Sequence, residues 1–301
     1  MSDFNVLKAE NAAARYFEAR GVRFCNAENA LVTVFEALGL SFGDEVVVSA
    51  NLKSDISAFL SKSGVRVVFA DVNENFFDVS AEDVLSKLTN RTKAAAVSHR
   101  FGRICDMGNL SDRLLERGIT LVEETVCGIG AVRFSGGKIL RVGSVGIGCI
   151  IEREFALICS ENEVLAEKLP ESDVAAAEKF LRHLPDFETE NGKRRLAVRR
   201  FGQLLYEKNL TPFVSFSVPD KNVFSSCPCC PLFVKNRDAL KTYLDECGVV
   251  SFLPEFAFED TACERFEGVR KQLLLLSADE TFSEQERAAD EIARFYRGQN
   301  R

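Results

Sequence analysis

Residues 64–107 read GVRVVFADVNENFFDVSAEDVLSKLTNRTKAAAVSHRFGRICDM. The run VRVVFADV is apolar on successive residues instead of alternating. SAEDVLSKLT follows, with Ser80 as an N-cap and Glu82 and Asp83 in an acidic first turn, which predicts a helix. KAAAVSH is then a second apolar run. Strands apolar on both faces and separated by helices build a mainly parallel sheet covered on both sides, so this stretch sets the class as α/β.

The pattern extends in both directions. VLKAENAAARYFEA (6–19) has helical apolar spacing, VRFCN is a short strand, and ENALVTVFEALGL is a helix ending near Gly39. GDEVVVSA (43–50) is a turn into a buried strand, and SDISAFLSKSG is a helix stopped by Gly64. NLSDRLLERG and ITLVEE add another helix and strand. Near residue 131 the alternation ends: VRF, VGIGCII and FALICSE follow one another, an antiparallel or mixed extension of the sheet. ENEVLAEKL starts a further helix. Residues 170–192 carry Pro170 and Pro185 and end in a loop-like stretch, which divides the chain into a large α/β domain (1–180) and a smaller α+β domain (181–301). In the second, helices are expected at 193–208, 236–247, about 260–268 and 283–297, and strands at 212–218, 230–235, 249–252 and 271–276.

The 301 residues are 46% hydrophobic and 28% charged with net charge −7, a globular composition that argues against nucleic acid as a partner. NGKRRLAVRR (191–200) reads as the exposed face of a helix. The polar, amphipathic first twenty residues do not read as a signal peptide, and no 18-residue apolar run suggests a membrane span. The ten cysteines sit in strand-like runs or on helices without the spacing of a secreted scaffold, so reduced thiols in a cytoplasmic protein are expected. Cys227, Cys229 and Cys230 form C-x-C-C with Cys247 and Cys263 downstream and no local histidine, a poor metal pattern, and no metal is expected.

GLSFGDEVVVSA, then residues 64–107, then GITLVEETVCGIGAV stand in the order and spacing of the DegT/DnrJ/StrS family of pyridoxal-phosphate-dependent sugar aminotransferases, which this chain resembles over roughly residues 6–170. Fainter similarity continues through RRLAVRRFGQLLYEKNL, NRDALKTYLDECGVV and LLLLSADETFSEQE. The resemblance implies the aspartate-aminotransferase fold, an active site at a homodimer interface, and a cofactor held by a lysine imine. It also implies a carboxylate on the pyridine nitrogen, a Gly-containing turn for the phosphate and an aromatic ring over the pyridine face.

Each of these positions departs from the family text. The phosphate turn SGT-x-AL reads Asn26-Ala27-Glu28-Asn29-Ala30-Leu31, so Gly becomes Ala27 and Glu28 brings a negative charge. A Glu28 turned outward would instead serve the helix N-terminus. The ring-covering aromatic is replaced within Ser49–Ser54, with Lys53 at about that position. Aligning EDAAQ with Glu123-Glu124-Thr125-Val126-Cys127 puts Glu124 for Asp and Cys127 for Gln. In the family, GS-x-GD leads into a strand and then a loop carrying the lysine. Here GSVGIGCII is followed at once by Glu152-Arg153-Glu154 and FALIC, and no lysine lies between Lys138 and Lys168. His99 aligns with the family's VH-x-x-G histidine, and His183 lies near the domain junction. Arg100 and Arg103 are candidate anion contacts, with solvated arginines the plainer reading.

The expectation is a degenerate homologue without transaminase activity and without bound pyridoxal phosphate. It would be a pseudoenzyme whose vestigial pocket comprises Ala27, Glu28, Lys53, His99, Glu124 and Cys127. It would act as a binding, regulatory or partner subunit, in a homodimer or in a heterodimer with a related aminotransferase. The alternative is an active enzyme using Lys53 or a partner's lysine, and a third reading is a small-molecule binder using Arg100, Arg103 and Glu124.

Overall fold

In this computed structural model the described residues are 2–17, 19–53, 55–73, 77–103, 105, 107–127, 129, 146–160, 162–216, 226–258 and 261–299. The first region runs α1 (Ser2–Phe17), β1 (Gly21–Cys25), α2 (Ala30–Leu38), β2 (Glu45–Ser49), α3 (Ser57–Ser63), β3 (Arg66–Ala70), α4 (Ala81–Ser86), β4 (Thr92–His99), α5 (Gly108–Glu116), β5 (Thr120–Val126), β6 (Gly146–Ile151) and β7 (Ala156–Ser160). There follow α6 (Glu163–Lys168), α7 (Val174–His183) and α8 (Phe187–Glu207). The chain ends with β8 (Val214–Phe216), β9 (Cys229–Val234), α9 (Arg237–Glu246), β10 (Ser251–Phe252), α10 (Glu264–Arg270), β11 (Leu273–Ser277) and α11 (Phe282–Gln299).

The local chemistry explains the boundaries. Ser80 caps α4 by accepting the Asp83 N–H, and Gly39 closes α2 in the left-handed conformation at φ 66°, where a side chain is strained. β2 and β4 are buried almost end to end, as their continuous apolar runs require.

The large sheet has the order β1-β7-β6-β5-β4-β2-β3. Strands β3, β2, β4, β5 and β6 are parallel, whereas β7 runs against both β6 and β1. The expected mixed extension is therefore a single reversed strand, and VRF (132–134) lies outside the described residues. On one face Leu31, Val34 and Phe35 pack on Val46, Val48, Ala96 and Val122. On the other Val84, Leu110 and Leu114 pack on Val47, Ala95, Val97 and Leu121. Ala9, Ala13 and Phe180 cover Ile150 and Leu157. Each such fully buried Leu, Val or Phe contributes about 1.5–3 kcal/mol.

The second sheet, β10-β11-β9-β8, is antiparallel, with Val198, Phe201, Leu240, Leu244 and Ile292 in its core. Asp71, just past β3, ties the two regions together. Its carboxylate accepts the main-chain N–H groups of Val72 (2.8 Å), Arg265 (3.1 Å) and Phe266 (2.9 Å), the latter two at the start of α10.

One element departs from the sequence reading. Residues 174–183 form helix α7 inside the stretch read as the domain junction, and the end of that stretch, read as loop-like, already belongs to α8, which begins at Phe187 instead of 193. Asp173 caps α7 by accepting the Ala176 N–H at 2.8 Å, so Pro170 and Pro185 bracket a helix instead of marking a loop. No helix among the described residues is long and apolar enough to cross a membrane.

Candidate functional site

Strands β2, β4, β5 and β6 present their C-terminal ends together, at Ser49, His99, Val126 and Ile151. Ligand crevices of open parallel sheets lie beyond such ends.

Glu124 is fully buried near the end of β5. Its Oε2 accepts the Lys53 main-chain N–H at 2.9 Å and the Ser98 hydroxyl. The carboxylate expected to face a pyridine nitrogen thus fastens the chain after β2 to the end of β4. Lys53 itself is half-buried, ahead of α3. Asn51, also fully buried, donates to the carbonyls of Phe77 (2.9 Å) and Ser98 (3.3 Å).

His99 and Glu123 occupy the opposite face, because neighbouring strand residues alternate. The Cys105 N–H points at His99 Nδ1 (3.1 Å), so the ring proton sits on Nε2, 3.2 Å from Glu123 Oε1. The sheet therefore separates His99 from Glu124 even though their positions are near in sequence.

Arg100 is buried, contrary to the solvated reading, with 8% of its surface exposed. Its guanidinium lies 5.5 Å from the Phe101 ring centroid and 5.1 Å from that of Phe256, and Nη2 donates to the Glu255 carbonyl at 2.9 Å. Nε and Nη1 have no hydrogen-bond partner among the described residues. Burial pulls its pKa down, opposed by the charge of Glu124. Arg103 instead clasps Asp78 through Nε and Nη2 at 2.9–3.1 Å.

At the α2 N-terminus Glu28 is exposed, Ala27 is half-buried, and Asn26 Oδ1 accepts the Glu28 N–H at 3.0 Å. The turn thus folds with the acidic side chain outward.

Cys127 follows β5 at φ 52°. Its N–H donates to the Ile151 carbonyl at 2.7 Å and its carbonyl accepts the Ser226 hydroxyl. Burial, with Glu152 adding to it, pushes the thiol up to about 11. Ser226 N–H also donates to the Gly102 carbonyl at 3.1 Å. A Cβ on Gly102 would meet Pro228 Cδ at 2.6 Å and the Cys227 nitrogen at 2.9 Å, so residues 226–228 lie directly on the crevice rim. No local pattern in the sequence signals this contact between distant segments.

Between β6 and β7 the chain turns in four residues. Ile151 pairs with Ala156, and the Glu152 N–H donates to the Phe155 carbonyl at 2.9 Å. Glu152, Arg153 and Glu154 occupy the tip. Glu152 Oε1 accepts the Ile129 N–H (3.0 Å), Arg153 pairs with Asp279 (3.0 Å), and Glu154 pairs with His183 (3.0 Å). All ten cysteines are free thiols, and no group of three or more His, Cys, Asp or Glu suited to a metal occurs among the described residues.

The six sequence-selected positions therefore fall into four places. Lys53 and Glu124 share one hydrogen-bonded group, His99 lies across the sheet, Ala27 and Glu28 start α2, and Cys127 borders the β6–β7 turn. Asn51 and Ser98, missed by the sequence reading, complete the first group. Their one visible trace is polarity inside or just after an otherwise apolar buried run.

The sequence model of the DegT/DnrJ/EryC1/StrS aminotransferase family matches residues 4–149. A GDP-perosamine synthase of Vibrio cholerae is 29% identical over 147 residues, 46% of this chain and 40% of that protein. A dTDP-3-amino-3,6-dideoxy-alpha-D-galactopyranose transaminase of Aneurinibacillus thermoaerophilus is 30% identical over 107 residues, 36% of this chain and 28% of that protein. The matched segments thus span less than half the length of these relatives. In three dimensions, NtdA of Bacillus subtilis, solved with bound cofactor PMP, superposes with a TM-score of 0.78 at 18% identity over 96% of this chain and 77% of its own. The fold is that of the pyridoxal-phosphate-dependent aspartate aminotransferases, and residues 4–149 are similar to the DegT/DnrJ/EryC1/StrS aminotransferase family.

Proposed function

We propose that this chain does not transaminate and acts as a binding, regulatory or partner subunit, paired with a second copy or with a related, working aminotransferase. The observation that carries the reading is the four-residue β6–β7 turn, which holds no lysine where the resemblance places the imine-forming residue. The other positions agree with it. Glu124 is engaged by Lys53 N–H and Ser98, and the turn that would face a phosphate dianion has Ala27 where the family has glycine. These residues do not fit pyridoxal phosphate, so no chemical step is assigned to it here.

The second reading is an active sugar transaminase of the kind its relatives are, using Lys53 or a partner's lysine. It is favoured by the position of Lys53, whose main chain is bonded to Glu124. Spectroscopy separates the two. Purified protein mixed with pyridoxal phosphate should develop no visible imine absorbance, and borohydride should leave no cofactor covalently attached to the chain. An imine band that disappears in Lys53→Ala overturns the proposal. Light scattering of the protein alone and mixed with a related aminotransferase measures the pairing, and a monomer under both conditions overturns the subunit role.

A further inference from the structure

Beside the β6–β7 turn lies a cavity of about 290 Å³. It shares Cys127 with the six positions above and none of the others. One wall is apolar, formed by Ile129, Phe155 and Phe187. The charged lining comes from three elements: Glu152, Arg153 and Glu154 on the turn, His183 on α7, and Glu190 and Arg194 on α8.

Most of these charges are already matched. Asp279 takes Arg153 Nη2 at 3.0 Å and Arg194 Nε at 2.6 Å, and Glu190 lies 3.9 Å from Arg194. Glu154 holds His183 at 3.0 Å. Glu152 differs. It is largely shielded from water, and among the described residues its carboxylate accepts one hydrogen bond, from the Ile129 N–H at 3.0 Å. Of the three carboxylates in the lining, it is the one with no ion pair among the described residues, since Glu154 has His183 and Glu190 has Arg194. A shielded carboxylate in that position gains most from a ligand that brings the missing positive charge. Phe155 and Phe187 line the cavity with apolar surface, which suits an organic cation better than a hydrated metal ion.

We propose that this cavity binds a small organic ammonium ion, with Glu152 as its counter-ion and Phe155 and Phe187 packing its carbon body. The proposal goes beyond the subunit role and holds whether or not the chain transaminates. The acidity of Glu152 supports it: burial raises the carboxyl to about 7, against the opposing pull of Arg194, Arg153 and His183. The neighbouring Cys127 thiol stays protonated over the same range. Ligand binding must then select the ionised form of Glu152, and apparent affinity scales with the ionised fraction, which rises about tenfold between pH 6 and 8.

The test is calorimetric titration of the whole chain with benzylamine, which stays cationic over this range, and with its neutral and anionic counterparts, benzyl alcohol and benzoate. Benzylamine should bind at pH 8, about tenfold more weakly at pH 6, and at least tenfold more weakly to Glu152→Gln at pH 8. Gln keeps an acceptor for the Ile129 N–H, and a thermal melt checks that the variant folds. Equal binding of benzyl alcohol, tighter binding of benzoate, or unchanged affinity in a folded Glu152→Gln each overturns the proposal. If the variant does not fold, the wild-type pH series decides, and flat affinity from pH 6 to 8 overturns it. No pyridoxal phosphate enters the experiment, so its outcome is independent of the imine test.

Discussion

Gly102→Ala tests how residues 226–228 are held on the crevice rim. Gly102 has φ 69°, and a Cβ there would press on Pro228 Cδ and on the Cys227 main-chain nitrogen. The nitrogen cannot rotate aside as a side chain could, so the segment must move. Moving it breaks the Ser226 N–H bond to the Gly102 carbonyl and the Ser226 hydroxyl bond to the Cys127 carbonyl. Two such bonds contribute about 1–3 kcal/mol net. Alanine in the left-handed region costs a further ~1–2 kcal/mol, offset in part by the lower entropy of the unfolded chain. The expected loss is about 3 kcal/mol. Gly39→Ala isolates the backbone term, because Gly39 has φ 66° and nothing within 4 Å of its Cβ position. It should lose about 1 kcal/mol. Urea unfolding of both variants, followed by far-UV circular dichroism, measures the difference. If Gly102→Ala is no less stable than Gly39→Ala, the close approach of residues 226–228 is wrong.

Replacing Asp71 by Asn removes the charge that three N–H groups share, and should lower stability by about 2 kcal/mol in the same urea assay; Asp71→Ala should cost more. The pH profile carries a second signature. Glu152 is raised from 4.5 to about 7, so the folded protein holds its proton more tightly than the unfolded chain does. Its contribution is present in full below pH 4.5 and fades as pH rises through 7. Relative to Glu152→Gln, the wild type should lose about 3 kcal/mol between pH 4.5 and 8. An ion-paired carboxylate would give the opposite slope. Burial also pushes the Cys229 thiol up to about 12 and that of Cys25 to about 12, so both should react with Ellman's reagent at neutral pH far more slowly in the folded protein than in urea.

The α/β class was legible because VRVVFADV and KAAAVSH are apolar without alternation, and a strand buried on both faces leaves that trace in local sequence. The β6–β7 hairpin was legible for a related reason, since Glu152-Arg153-Glu154 interrupts two apolar runs too briefly for anything longer than a turn. Helix α7 was obscured by Pro170 and Pro185, which flank a helix as readily as they break one; Asp173 ahead of three alanines was the better signal. The crevice was only partly legible. Strand position predicts that Glu124 is buried, but its partners Ser98 and Lys53 come from β4 and from the segment after β2, and that register exists only once the sheet is assembled. Charge alone misread Arg100, because Phe256, more than 150 residues later, packs its ring 5.1 Å from the guanidinium.

The reversed strand has a consequence for how the chain assembles. Among the described residues β1 pairs with β7 alone, Gly21 facing Ser160 and Cys25 facing Ala156. A ribosome must therefore deliver more than a hundred further residues before residues 21–25 find their ladder. Until then the apolar side chains Val22 and Phe24 have no sheet to join, and closing so long a loop is entropically slow. The strand of this sheet that comes earliest in chain order is thus among the last of the sheet to be satisfied, which makes this edge the place where a nascent chain most needs shielding from its neighbours.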